Sequence, residues 1–251
     1  MIYDYAIIGG GIIGCSILNK LTRLNKKCIL VEKYNDVGIG TTKANTALVH
    51  AGFDAKPNTL KARFNVEGSV MMENLCNELK VPYKRNGAIV VGNDLDKLKN
   101  LYDRGKTNNV QGLEVLNEEQ LHNLVPTLSK DIKYGMIAKT GAIISPYELA
   151  IALAEESVLN GAEVKFNEEI KQAHFNNVWT LITNDCEIQA KYVINCSGAN
   201  FNEVSKLFNA EQYPIQYRVG EYYLLDSSEI DLTKYTIFPL PTENSKGVVV
   251  T

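Results

Sequence analysis

The chain has 251 residues, 45% of them hydrophobic and 22% charged, with a formal net charge of −3. That balance describes a folded chain with ample core, without the basic patch or tail that nucleic-acid binding requires. No apolar run approaches the roughly 20 residues of a membrane span, and the short glycine-rich start is unlike a cleaved signal segment. The first elements read β-α-β: a strand near 3–8, a helix near 12–25 and a strand near 28–32. A loop rich in Gly, Thr and Asn covers 36–54. Leu60, Phe64, Val66, Val70, Met71 and Leu75 recur near helical spacing and predict a helix over 58–79. "GAIVVG" (87–92) reads as a strand, 94–105 as a helix, and 117–126 as a short helix stopped by Pro126. Over 145–161 a Ser145 cap, Pro146 at the first helical position and a stop at Gly161 define another helix. Short strands follow near 162–166, 170–175, 178–183 and 186–195. "YRVGEYYLLD" (217–226) alternates like a strand, and "KGVVVT" (246–251) is a further one. The sequence stops inside this β-rich run, so a C-terminally truncated piece of a longer chain is expected.

The five cysteines, Cys15, Cys28, Cys76, Cys186 and Cys196, are scattered and form no C-x-x-C pair. They are expected to be reduced thiols in a reducing compartment, serving as small buried apolar residues, and no metal site is expected.

Gly9, Gly11 and Gly14 fit G-x-G-x-x-G directly after a strand and at the opening of a helix. The first glycine allows the tight turn, the second lets a pyrophosphate approach the backbone, and the third lets helix and strand pack closely. The helix N-terminus offers N–H groups and a positive dipole end to the phosphate. "CILVEK" supplies a second strand ending in Glu32, 18 residues after Gly14. A carboxylate there accepts hydrogen bonds from ribose hydroxyls and repels a 2′-phosphate, which disfavours NADP. Lys33 follows it at the strand end as a further cofactor-side candidate. The motif by itself leaves NAD and FAD both open.

The next stretch, "DVGIGTTKANTALVHAGFDAKPNTLKARFNVEG" (36–68), is unusual for an NAD dehydrogenase. With "VPYKRNGAIVVG", "GAIISPYELAIALAE" and "AKYVINCSGA" it resembles the FAD-dependent D-amino-acid-oxidase-like oxidoreductases. Within that superfamily it looks most like the anaerobic-type glycerol-3-phosphate dehydrogenases and the L-2-hydroxyglutarate oxidases. The resemblance implies an α/β fold in which two domains interleave. A Rossmann-like FAD-binding domain would take 1–82 and 143–205. An α+β substrate domain with an antiparallel sheet would take 83–142 and 206–251.

The resemblance also implies roles. Gly9, Gly11 and Gly14 would hold the FAD pyrophosphate and Glu32 the adenosine ribose. Thr41, Thr42 and Asn45 would line the pyrophosphate and ribityl chain, with ordinary loop capping as the alternative for each. Ser197 and Gly198 would sit against the cofactor. His50 would lie beside the flavin ring, where it could bond flavin or substrate or act as a base. A packed core histidine is the alternative. His122 and His174 read as surface residues. Arg218 is the candidate anchor for a phosphate or carboxylate, with Tyr222 and Tyr223 as wall candidates. Lys61, Arg63, Lys84 and Arg85 are further cations, whose ordinary role is solvation.

The implied reaction is oxidation of glycerol 3-phosphate to dihydroxyacetone phosphate by hydride transfer to FAD, with electrons passed to a partner subunit or quinone. Oxidation of L-2-hydroxyglutarate, oxidation of a small amino acid and a non-catalytic dinucleotide-binding module are the alternatives. The expected setting is the cytoplasm, with the membrane periphery as a variant.

Overall fold

The computed structural model describes residues 1–217, 219–229, 232–241 and 247–251. In chain order its elements are β1 (Ile2–Ile8), α1 (Ile12–Arg23), β2 (Cys28–Val31), β3 (Leu48–Val49), α2 (Leu60–Glu78), β4 (Tyr83–Lys84), β5 (Ala88–Gly92), α3 (Leu95–Thr107), β6 (Leu113–Leu116) and α4 (Glu118–Leu124). They continue with β7 (Tyr134–Ala138), β8 (Ala142–Ile144), α5 (Pro146–Leu159), β9 (Glu163–Lys165), β10 (Gln172–Asn176), β11 (Val178–Ile182), β12 (Glu187–Asn195), α6 (Phe201–Leu207) and β13 (Thr236–Pro239). Residues 1–45 and 145–220 form one compact unit; 46–144 and 221–251 form a second. Residues 46–82 thus cluster with the second unit and 206–220 with the first, whereas the sequence reading assigns them the other way round.

The first unit is built on a six-stranded sheet in the order β10-β11-β12-β1-β2-β9. Strands β12, β1, β2 and β9 run parallel, while β11 and β10 add an antiparallel hairpin at one edge. All four residues of β2 are buried, as a parallel strand covered on both faces should be. Ala6, Ile8, Ile29, Val31, Leu181 and Ala190 form its core, and Val204, Leu207 and Phe208 from α6 and the residue after it pack against them. Helices α1 and α5 pack against each other. Pro146 stands at the start of α5 as expected, but the Ser145 hydroxyl in the cap position makes no capping bond. Gly161, at φ +90°, follows the helix end.

The second unit holds a four-stranded sheet, β13-β5-β7-β6, and a small three-stranded one, β3-β8-β4. The pairings are antiparallel except that β13 runs parallel to β5. Val90 of β5 joins one cluster with Leu98, Leu101 and Met136, whereas Ile89 and Val91 join another with Leu116 and Leu121. Burial on both faces explains why "GAIVVG" reads as an unbroken apolar run. Asp94 caps α3 by accepting from Lys97 N–H at 3.0 Å, and Asn117 and Gln120 form a reciprocal capping box at the start of α4.

Two expected strands are corrected. Tyr217 and 219–226 form no strand, and Val219, Tyr223 and Leu224 are 92%, 89% and 98% exposed. Alternation prepares a segment for a sheet, but a strand also needs a neighbour for its backbone, and this one has none among the described residues. Of 246–251, Lys246 lies outside the described residues, and the remainder contributes one bridge, Val250 to Ile237. The short strands β3, β4, β6, β7, β8 and β13 carry little periodicity and were not legible before the fold.

Candidate functional site

At the carboxyl ends of β12, β1 and β2 the first unit opens into a cavity of about 780 Å³. Helix α1 leads from β1 to β2 on one side, while β12 joins β1 on the other. This is the topological switch point where open parallel sheets bind ligands. Gly9, Gly11, Glu32, Lys33, Thr41, Thr42, Asn45, Ser197 and Gly198 all line the cavity. Of the expected cofactor-side residues, only Gly14 does not.

The three motif glycines are needed for three different reasons. Gly9 sits at φ +106°, and a Cβ there would stand 2.5 Å from the Cys196 carbonyl oxygen. A Cβ on Gly14 would stand 1.9 Å from the carbonyl oxygen of Gly9, so helix and loop could not close. A Cβ on Gly11 would meet only Thr42 Oγ1, at 3.3 Å. The protein itself therefore asks little of Gly11, and the space it leaves is open to the cavity.

The loop is held by its neighbours. Glu32 is buried, accepting Gly10 N–H on Oε2 at 2.6 Å and Tyr34 N–H on Oε1 at 2.9 Å. Thr42 Oγ1 accepts Ile12 N–H at 3.0 Å, capping α1 in place of the side chain that Gly11 lacks. The Asn45 amide donates to the Thr41 and Thr42 carbonyls at 3.1 and 2.7 Å. Lys33 Nζ lies 5.1 Å from the centre of the Tyr34 ring. On the opposite wall Asn195 Oδ1 accepts from both the Ser197 N–H (3.1 Å) and hydroxyl (2.6 Å). Its Nδ2 donates to Phe201 O and Ser205 Oγ. Asn195 was missed from sequence; its only signal was a polar residue ending an apolar strand. Burial pushes the Cys15 thiol up to about 12 and the cavity-lining Cys196 up to about 11.

A second, smaller cavity of about 270 Å³ lies within the second unit, and His50 lines it. His50 is exposed, which removes the packed-core reading, and its ring centre is 6.1 Å from that of Phe238. Among the four extra cations, Lys61 lines this cavity. Arg63 pairs with Glu67 at 2.8 Å, Arg85 pairs with Glu73, and Lys84 is exposed on β4. Tyr222 and Tyr223 are exposed and line neither cavity. Arg218 lies outside the described residues. His122 is half-buried against the Ile132 carbonyl at 3.0 Å, and His174 is exposed on the β10–β11 hairpin. Among the described residues no cluster could hold a metal ion, and no helix is long and apolar enough to cross a membrane.

A glycine-bridged switch point, a buried acidic residue after β2 and a second turn after β12 define a dinucleotide-binding α/β fold. The family model "FAD dependent oxidoreductase" matches residues 4–251. The chain belongs to that family, whose cofactor is FAD. It is 43% identical over 253 residues to a Caloramator mitchellensis protein named glycerol 3-phosphate dehydrogenase, covering 99% of this chain and 53% of that protein. It is 27% identical to the human mitochondrial L-2-hydroxyglutarate dehydrogenase, covering 95% of this chain and 55% of that one. The chain thus spans about half the length of these relatives. The FAD-bound L-alpha-glycerophosphate oxidase of Mycoplasma pneumoniae shares the fold, with a TM-score of 0.86 at 23% identity over 100% of this chain and 68% of that one.

Proposed function

We propose that this protein oxidises glycerol 3-phosphate to dihydroxyacetone phosphate with FAD as its redox cofactor. The cradle at the switch point carries the reading: Gly11 is a glycine for which the surrounding protein supplies little reason, and a pyrophosphate supplies one. Gly9, Gly11 and Gly14 shape the pyrophosphate site, and Glu32 and Lys33 border the adenosine ribose. Thr41, Thr42 and Asn45 line one wall and Ser197 and Gly198 the other. When bound, FAD supplies the hydride acceptor. His50 orients the substrate hydroxyl or takes its proton, a task an imidazole can perform as hydrogen-bond partner or base. Arg218 remains a candidate anchor for the substrate's anionic end. Electrons then pass to a partner subunit or quinone, in a reducing compartment that suits the unpaired cysteines.

The choice of substrate is supported by the 43% identity to the Caloramator mitchellensis protein, against 26–28% for the L-2-hydroxyglutarate dehydrogenases. Those relatives make L-2-hydroxyglutarate the second reading. Anaerobic titration of the intact, oxidised protein separates the two. Bleaching of the flavin band at about 450 nm by glycerol 3-phosphate, and not by L-2-hydroxyglutarate or glycine, is expected. A colourless protein that cannot be reconstituted with FAD would overturn the reading.

A further inference from the structure

His50 sits one residue past β3 and two before Gly52, which opens a short loop, 52–55, lining the same cavity. Upstream, β3 is fixed by its antiparallel pairing with β8, Leu48 opposite Ile143 and Val49 opposite Ala142. Downstream, the loop is gripped by the C-terminal end of α3. Asn108, half-buried in the C-cap position of that helix, donates its side-chain amide to the carbonyl oxygens of Gly52 at 3.0 Å and Ala55 at 2.8 Å. Arg104, one helical turn earlier, donates to the Asp54 carbonyl at 3.2 Å and stands 3.6 Å from the Asp54 carboxylate. Three of the four carbonyls in the loop are therefore held by two side chains of one helix. The packing behind them is close: a Cβ on Gly105 would stand 2.9 Å from Phe53 Cβ, and one on Gly52 would stand 2.6 Å from Val66 Cγ2. Gly52, Phe53 and Ala55 are buried, so their backbone groups need such partners.

We propose that Asn108, assisted by Arg104, is the positioning residue for His50. It holds the 52–55 loop, and with β3 on the other side the imidazole is fixed between two anchored segments. The inference rests on the proposed oxidation and on the part His50 plays in it. A reacting group displaced by about 1 Å can cost roughly 100-fold in rate, so a residue that touches neither substrate nor cofactor can still set the limiting rate.

The test uses the intact holoenzyme and three variants. Asn108→Asp keeps the side-chain shape and replaces the donating nitrogen with an oxygen. Arg104→Met removes the exposed second donor. Asn117→Ala removes the capping box of α4 in the same unit and serves as a stability control. Flavin reduction by glycerol 3-phosphate is followed anaerobically up to saturating substrate. Asn108→Asp should lower the limiting rate roughly 10- to 100-fold with substrate affinity and flavin spectrum little changed, and Arg104→Met should show the same pattern more weakly. Asn117→Ala should lower only the melting midpoint. In a His50→Asn background Asn108→Asp should cost no further rate, because residues acting as one unit are not additive. An unchanged limiting rate in Asn108→Asp, or full multiplication of the two losses, would overturn the proposal. Hydrogen exchange gives a readout that needs no turnover: amides of 50–56 should exchange roughly 10-fold faster in Asn108→Asp and not in Asn117→Ala. If glycerol 3-phosphate fails to reduce the unsubstituted protein while exchange quickens, the oxidation reading fails and the clamp on the loop stands. If the flavin is reduced and Asn108→Asp alters neither rate nor exchange, the clamp fails and the oxidation reading stands.

Discussion

Gly10 donates its backbone N–H to Oε2 of Glu32 at 2.6 Å, tying the glycine loop after β1 to the end of β2. The same carboxylate takes Tyr34 N–H on its other oxygen, so Glu32 braces the loop from below while lining the cavity. Glu32→Ala removes both acceptors and leaves two amides unpaired. Retention of FAD should fall by roughly 10- to 100-fold, measured by equilibrium flavin fluorescence. Glu32→Gln keeps two acceptor sites' worth of volume but only one oxygen, and should fall between the two. An Ala variant that holds FAD normally would remove Glu32 from the site.

Gly11 and Gly14 should separate cofactor binding from folding. Gly14→Ala forces a Cβ to 1.9 Å from the Gly9 carbonyl oxygen, so the backbone must shift. A loss of about 1–3 kcal/mol or more in chemical denaturation is expected even without cofactor. Gly11→Ala meets only a hydroxyl at 3.3 Å and should melt near the unsubstituted protein while binding FAD weakly. Equal melting losses in the two variants would contradict this division.

Glu156 clasps α5 to α1, accepting from the Asn19 amide and from Arg23 at 2.7 Å. The Asn19 hydrogen bond first, and the Arg23 guanidinium after it, hold its carboxyl below the ordinary value of 4.5. A depressed acid stabilises the fold above its unfolded value and loses that contribution as pH falls through the folded one. Acid unfolding should therefore steepen below pH 4.5 in the unsubstituted protein. Glu156→Gln should flatten that part of the stability–pH curve.

The buried thiols set an alkaline limit. Burial raises Cys15 from 9.0 to about 12, and Cys28 and Cys196 to about 11. The unfolded chain therefore releases these protons first, and stability should fall as pH rises from about 9 toward 11. At neutral pH the buried Cys15 and Cys28 should resist iodoacetamide in the folded protein and react once it is unfolded. Mass spectrometry of peptides labelled before and after denaturation checks this.

The glycine cradle was legible because its reasons are local. Gly9, Gly11, Gly14 and Glu32 lie within one β-α-β stretch, and the geometry they need follows from backbone and phosphate chemistry alone. Burial on both faces likewise betrayed β2 and β5 as apolar runs. Which cation borders the His50 cavity was not legible. Arg63 has Glu67 one helical turn further along α2, a pairing local to the helix, but only the fold gave Arg85 its partner Glu73 and left Lys61 on the His50 cavity. The Asn65 side-chain oxygen, buried without a hydrogen-bond partner among the described residues, carried no signal, since an orphaned oxygen exists only once its neighbours are in place. The segment 219–226 shows the same limit from the other side, because its alternation was real but no strand lies beside it among the described residues. Sequence by itself determined the phosphate loop, its acidic partner and the main helices, which depend on neighbours close along the chain. Tertiary structure decided which distant charges pair, which polar atoms stay unpaired and which alternating segments become strands, because each depends on a partner that folding alone brings near.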